Sequence, residues 1–228
     1  MIPRATTHPT TPSSTTLSRE IPMRSKLLAA VALALLCAPA GAGEPHRFKG
    51  KMVQDGKTGL TIMGEQKDGI VIVTSLRYHY SLVLPWGVDW NLTEDDGALL
   101  KGNAGLVNLT LSAEESDESP ERQLQGVKAR LSEPGRVKGI EKLELIAHRK
   151  EPVLRDVVDG EKASGSRDFR GVKVLHLFAA KRWGKVAYLL HLSRVIPAAE
   201  VASFDEKTLL DYATVGFQVD FMRDEAKR

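Results

Sequence analysis

Histidine is the side chain best suited to acid–base or metal chemistry near neutral pH, and this 228-residue chain has six. Two of them, His176 and His191, fall on the long apolar runs Val172–Ala180 and Val186–Ile196, which flank Lys181-Arg182-Trp183-Gly184-Lys185. With Trp183-Gly184 as the two-residue centre of a hairpin, the two imidazoles face each other and could hold a metal, given a third ligand. A one-residue change in the loop would send them to opposite faces, and no third ligand stands nearby in sequence. The expectation is therefore two histidines satisfied by backbone or water, with no metal site and no cofactor. The alternative is an envelope hydrolase or metal-dependent enzyme in which His176, His191 or His79 meets a carboxylate brought close by folding.

Other chemistry-bearing patterns are incomplete. Gly56-Lys57-Thr58 looks like the end of a phosphate-binding loop, but Gly50 is one residue too far upstream. Glu94-Asp95-Asp96 and Glu114-Glu115-Ser116-Asp117-Glu118 lack the alternating ligands and central glycine of a calcium loop. Around Asp159–Gly171, Arg149, Lys150, Arg155, Arg167, Arg170 and Lys173 are interspersed with acids that cancel most of their field. No residue is assigned a catalytic role.

Binding residues are easier to nominate. Trp183 among Lys181, Arg182 and Lys185 is an aromatic beside cations at a hairpin tip, a fitting anchor for a protein partner or for peripheral contact with an anionic membrane. The competing picture folds the indole back over the sheet. Trp86 and Trp90 either plug one end of the core or line a groove. A third function, binding a small apolar ligand between sheet and helix, predicts an enclosed cavity beneath Leu124 and Leu131.

These residues need a scaffold, and a compartment. Met23-Arg24-Ser25-Lys26, the apolar run Leu27–Cys37, and Ala40 and Ala42 at the −3 and −1 positions describe a signal peptide over residues 23–42, cleaved after Ala42. The run is short for a membrane span. Residues 1–22, rich in Thr, Ser and Pro, make an odd extension, and a start at Met23 fits better. Leu36 before Cys37 disfavours a lipid anchor. Export to the periplasm, or secretion, would remove the chain's one cysteine, excluding disulfide and thiolate chemistry. Losing residues 1–42 takes four of 32 cations and one of 29 anions, leaving 28 of each. A neutral body gives no support to a nucleic-acid partner.

The 42% hydrophobic content suits a packed core rather than a disordered chain. A polar segment, 43–68, precedes one domain, 69–228. Strands are predicted at Ile70–Val73, Tyr78–Leu84, Ala98–Lys101, Leu106–Ala113, Ile140–Ala147 and Pro152–Val158, besides the two apolar runs, which should be covered on both faces. Ser119-Pro120-Glu121 starts a helix with Leu124, Val127 and Leu131 on one face, stopped by Pro134-Gly135. Asp159–Gly171 reads as a mobile loop. Ser203-Phe204-Asp205-Glu206 reads as a capping box for a C-terminal helix whose face is Leu209, Leu210, Ala213 and Phe217. The sum is an α+β fold: an antiparallel sheet of about six or seven strands flanked by two main helices.

Tyr80-Ser81-Leu82-Val83-Leu84-Pro85-Trp86-Gly87-Val88-Asp89-Trp90 is similar to the aromatic-x-apolar-x-apolar-Pro-x-Gly-Trp segment of PsbP-like domains. The order of helix, apolar hairpin and closing helix over residues 68–221 also resembles that superfamily. Two residues separate Gly87 from Trp90 where the family has none or few. The resemblance implies an α/β/α sandwich and a mostly non-catalytic superfamily of photosystem subunits, a Ran-GTPase-binding transport factor and bacterial proteins that accompany others. It transfers no functional residue by position. The expected function is a binding or adaptor protein of the bacterial cell envelope that recognises another protein.

Overall fold

Among the described residues every strand pairing is antiparallel, as expected where short turns join successive strands. The computed structural model describes residues 46–47, 53–55, 60–65, 70–85, 90–95, 98–133, 140 and 142–219. The expected leader and cleavage site lie outside them, as do Trp86 and the expected Pro134-Gly135 stop.

The strands are β1 (His46–Arg47), β2 (Val53–Asp55), β3 (Leu60–Glu65), β4 (Ile70–Ser75), β5 (Tyr80–Pro85), β6 (Asn91–Asp95), β7 (Ala98–Ala104), β8 (Val107–Glu115), β9 (Glu144–His148), β10 (Glu151–Asp159), β11 (Lys173–Trp183), β12 (Val186–Ile196) and β13 (Phe217–Val219). Helices α1 (Pro120–Leu131), α2 (Gly160–Ser164) and α3 (Lys207–Ala213) join them. The expected single sheet is two: eight strands in the order β1-β6-β7-β8-β12-β11-β10-β9, and five in the order β13-β5-β4-β3-β2. Strands of the polar segment 43–68 pair into both, β1 on β6 and β3 on β4.

Alternation on β11 and β12 explains the layering. Leu175, Leu177 and Ala179, with Tyr188, Leu190 and Leu192, face a large core shared with Val73, Leu82, Leu84, Leu209, Ala213 and Phe217. Phe178, Ala180 and Leu189 face the other way, into a smaller core with Leu124, Val127 and Leu131 of α1 and with Leu143 and Leu154. The large sheet is thus covered on both faces along its central strands. Fully burying such a side chain is worth about 2 kcal/mol. Helix α1 starts as its sequence demands: Ser119 Oγ accepts the Arg122 N–H at 3.3 Å and Pro120 occupies the first turn.

Several local expectations are corrected. The C-terminal helix begins at Lys207, not after a Ser203 cap: Asp205 Oδ1 accepts the Lys207 N–H at 3.0 Å, while Ser203 Oγ donates to the Glu200 carbonyl. Phe217 leaves the helix and pairs with Leu82 in β13. Helical spacing and strand pairing both bury it, so its position in the sequence could not separate them. The expected loop 159–171 holds α2 and a 3₁₀ turn, Arg167–Phe169, with Gly165 closing α2 at φ 73°. Tyr78 and His79 belong to a turn before β5, not to the strand.

Candidate functional site

Register gathers the candidate site at one end of the large sheet. Trp183 pairs with Val186, so the β11–β12 turn is Gly184-Lys185, with glycine at φ 59° in the first turn position. The expected centre, Trp183-Gly184, is one residue early. His176 consequently faces Ser193, and His191 faces Phe178. Displacing the turn centre by one residue moves each partner by two, which keeps both histidines on one face, diagonal rather than opposite.

That face is the one under α1. His176 Nδ1 and His191 Nε2 are 3.2 Å apart, and Phe178 stacks on His191 with ring centroids 4.3 Å apart. Both histidines are buried. Burial lowers the His176 pKa to about 4; burial, then repulsion from His176, holds His191 well below the usual imidazole range. No group of three or more His, Cys, Asp or Glu able to hold a metal is gathered among the described residues.

On the opposite face, the same end of the sheet meets the smaller sheet's β4–β5 turn. The Trp183 indole is half-buried against the large core and lies over His79, centroids 4.1 Å apart and tilted 41°. His79 holds a left-handed φ of 52°, a strained state for a non-glycine residue. Tyr188 Oη donates to the Tyr78 carbonyl at 2.7 Å, pinning the turn to β12. Beside it Leu76 is exposed and Arg77 lies over the Tyr78 ring.

The cations nominated with Trp183 differ in circumstance. Lys181 is only 15% exposed and pairs with Glu151 at 2.5 Å. Arg182 donates to the Asp117 carbonyl at 2.8 Å, and Lys185 is exposed. An open cleft of about 510 Å³ lies beside the hairpin, lined by Ser116, Asp117, Glu118, Ser119, Arg122 and Arg182. Glu114 and Glu115 pair with Ala187 and Val186, so acids border the cations and the tip carries a mixed field. Trp90 is fully buried beneath Gly102 and belongs to the core, not to a binding groove.

Sequence reading missed one cluster here. His148 pairs with Glu151, and between them Arg149 and Lys150 form a two-residue turn with φ 48° and 68°. Asp211 of α3 accepts Arg149 Nε at 2.5 Å and Arg149 Nη2 at 3.1 Å, and meets His148 Nε2 at 2.7 Å. These contacts, Arg149 first, hold the Asp211 pKa well below the usual carboxylate range. Nothing in the spacing of His148 and Asp211 could have announced the contact, because it depends on how α3 lands.

No family model matches the chain, and no curated protein matches it either. No helix among the described residues is long and apolar enough to cross a membrane.

Proposed function

We propose that the chain is an exported, non-catalytic binding or adaptor protein of the bacterial cell envelope, and that it recognises another protein through the pole around Trp183. The observation that carries this is the Trp183–His79 stack, a half-buried aromatic held by a strained turn beside exposed Leu76. A rigid aromatic with an apolar neighbour and a polar rim is the usual composition of a protein contact. The acids beside Arg182 and Lys185 favour a protein over an anionic bilayer. The adaptor character comes from the resemblance to PsbP-like domains. In support of an α/β/α sandwich, α1 and α3 pack on opposite faces of β11.

One contact favours an enzymatic reading, the meeting of His148 with Asp211. Arg149 engages both oxygens of that carboxylate, which suits a structural clamp better than a base-orienting dyad.

The test is site-specific photocrosslinking in an expressing bacterium, from Leu76 and from Lys185, with exposed Val157 on β10 as control. The expected result is a mature chain beginning at Gly43 and one discrete protein adduct from both pole positions, lost on Trp183→Ala. An uncleaved cytosolic chain overturns export. An equal adduct from Val157, or one indifferent to Trp183→Ala, overturns the site.

A further inference from the structure

The face of the large sheet beneath α1 carries a polar row that a simple core would lack. In register across β10, β11, β12 and β8, Asp156, His176, Ser193 and Asn108 form one row, and Leu154, Phe178, His191 and Thr110 the next. Asp156, His176, His191 and Ser193 are all buried. A neutral imidazole offers one donor and one acceptor, so one N–H···N bond satisfies the facing nitrogens of His176 and His191. Two imidazoliums would present N–H to N–H in the same space.

We propose that the His176–His191 pair is a pH-sensitive latch for the helical layer: α1 stays seated on β10 and β11 while both imidazoles are neutral, and acid unseats it by charging the pair. The groups facing the pair cannot balance two imidazoliums, because Asp156, opposite His176, is a single carboxylate and offsets at most one of them. On β10, Asp156 already accepts the Lys142 backbone N–H at 3.2 Å through Oδ2. On β7, Lys101 stands opposite Thr110, the neighbour of His191. On α1, half-buried Arg130 donates to the Gly126 carbonyl at 3.1 Å. The sheet side of α1 is otherwise Gln123, Leu124, Val127 and Leu131.

The sign follows from linkage. An unfolded or opened imidazole binds its proton near pH 6.5, whereas seated His176 does so only near pH 4. Opening is therefore favoured progressively as pH falls through that window, by up to about tenfold per pH unit for one histidine. Unseating α1 uncovers Leu124, Val127 and Leu131 on the helix and Leu154, Phe178 and Leu189 on the sheet. The inference is independent of what the Trp183 pole binds.

Two measurements on the full chain test it: NMR titration of the histidine ring protons, and amide exchange protection from pH 7.5 to 4. His176 and His191 should stay neutral at pH 6. Protection on α1 should fall by ~100-fold or more between pH 6.5 and 4.5 while β4 and β5 stay protected. His176→Gln should flatten that fall. Titration of either histidine near pH 6.5 in the native state overturns the proposal, whether or not the variant folds. So does loss of protection on α1 and β4 at one common midpoint, or an α1 profile in His176→Gln identical to the parent's.

Discussion

Asp211 and Arg149 lie 62 residues apart and form a two-pronged ion pair that fastens the β9–β10 turn to α3. Bidentate geometry fixes orientation as well as distance, so the pair sets where α3 sits over the large sheet. His148 Nε2 closes on the same carboxylate, and Lys181–Glu151 braces the adjacent strand end.

Asp211→Asn should lower the melting temperature by a few degrees at neutral pH. The sign with pH is determined by the depressed Asp211 pKa. Its contribution is complete above the unfolded carboxylate value of about 3.9 and is lost as pH falls through the folded value. Melting curves of parent and variant should therefore differ at pH 7 and converge in strong acid. A constant difference at all pH values would assign the loss to packing instead.

The turn that presents Arg149 is itself strained. Both its residues have positive φ in a two-residue hairpin of the kind that prefers Asn-Gly. Lys150→Gly should stabilise the protein by about 0.5 kcal/mol, the relief of a left-handed side chain less the added freedom of the unfolded chain. Arg149→Gly receives the same relief but loses the hold on Asp211, so it should destabilise. Urea midpoints of opposite sign for two adjacent glycine substitutions are the check; the same sign would mean the clamp adds nothing.

The contrast between these residues and β12 explains what the sequence could disclose. Val186–Ile196 is a strand with the limits its apolar run predicts, because continuous burial leaves a continuous signature. Helix α1 ends at Leu131 with its expected apolar face, since capping and spacing are local. Phe217 carries no such signature, because helical and strand periodicities bury it equally. His176 and His191 share a face with either Trp183-Gly184 or Gly184-Lys185 as the turn centre, because moving the centre by one residue shifts every partner by two. The Asp211 clamp and the His79–Trp183 stack were invisible, because each joins elements whose meeting depends on the packing of two sheets. Sheet number suffered likewise: pairing partners are not written into strand composition.

Gly102 shows how close that packing is. A Cβ there would lie 2.7 Å from Leu92 Cδ2 and 3.2 Å from the Trp90 ring, and both neighbours are fully buried. Neither can swing into solvent, so Gly102→Ala should cost about 1–3 kcal/mol through displaced side chains. Trp90 makes the strain visible, and its fluorescence should change along with the urea midpoint. A variant with parent stability and an unchanged spectrum would show that β6 and β7 yield more easily than the contact distances imply.

The two cores are separated by the large sheet, and that separation predicts how the molecule loosens. Leu124 is fully buried in the α1 core, whereas Leu209 is buried in the core between the sheets. Leu124→Ala and Leu209→Ala remove the same atoms and should each cost about 3 kcal/mol by cavity formation. Their local consequences should differ. Leu124 joins α1 to Leu154, Phe178 and Leu189 and to nothing in the core between the sheets, so that variant should lose amide protection on α1 at neutral pH while β4, β5 and β13 keep theirs. Leu209 ties α3 to both sheets, and its loss should lower protection across β5, β11 and β13 together. If Leu124→Ala instead lowered protection evenly across all strands, the helical layer would have no separate opening, and the sheet between the cores would transmit the whole of the damage.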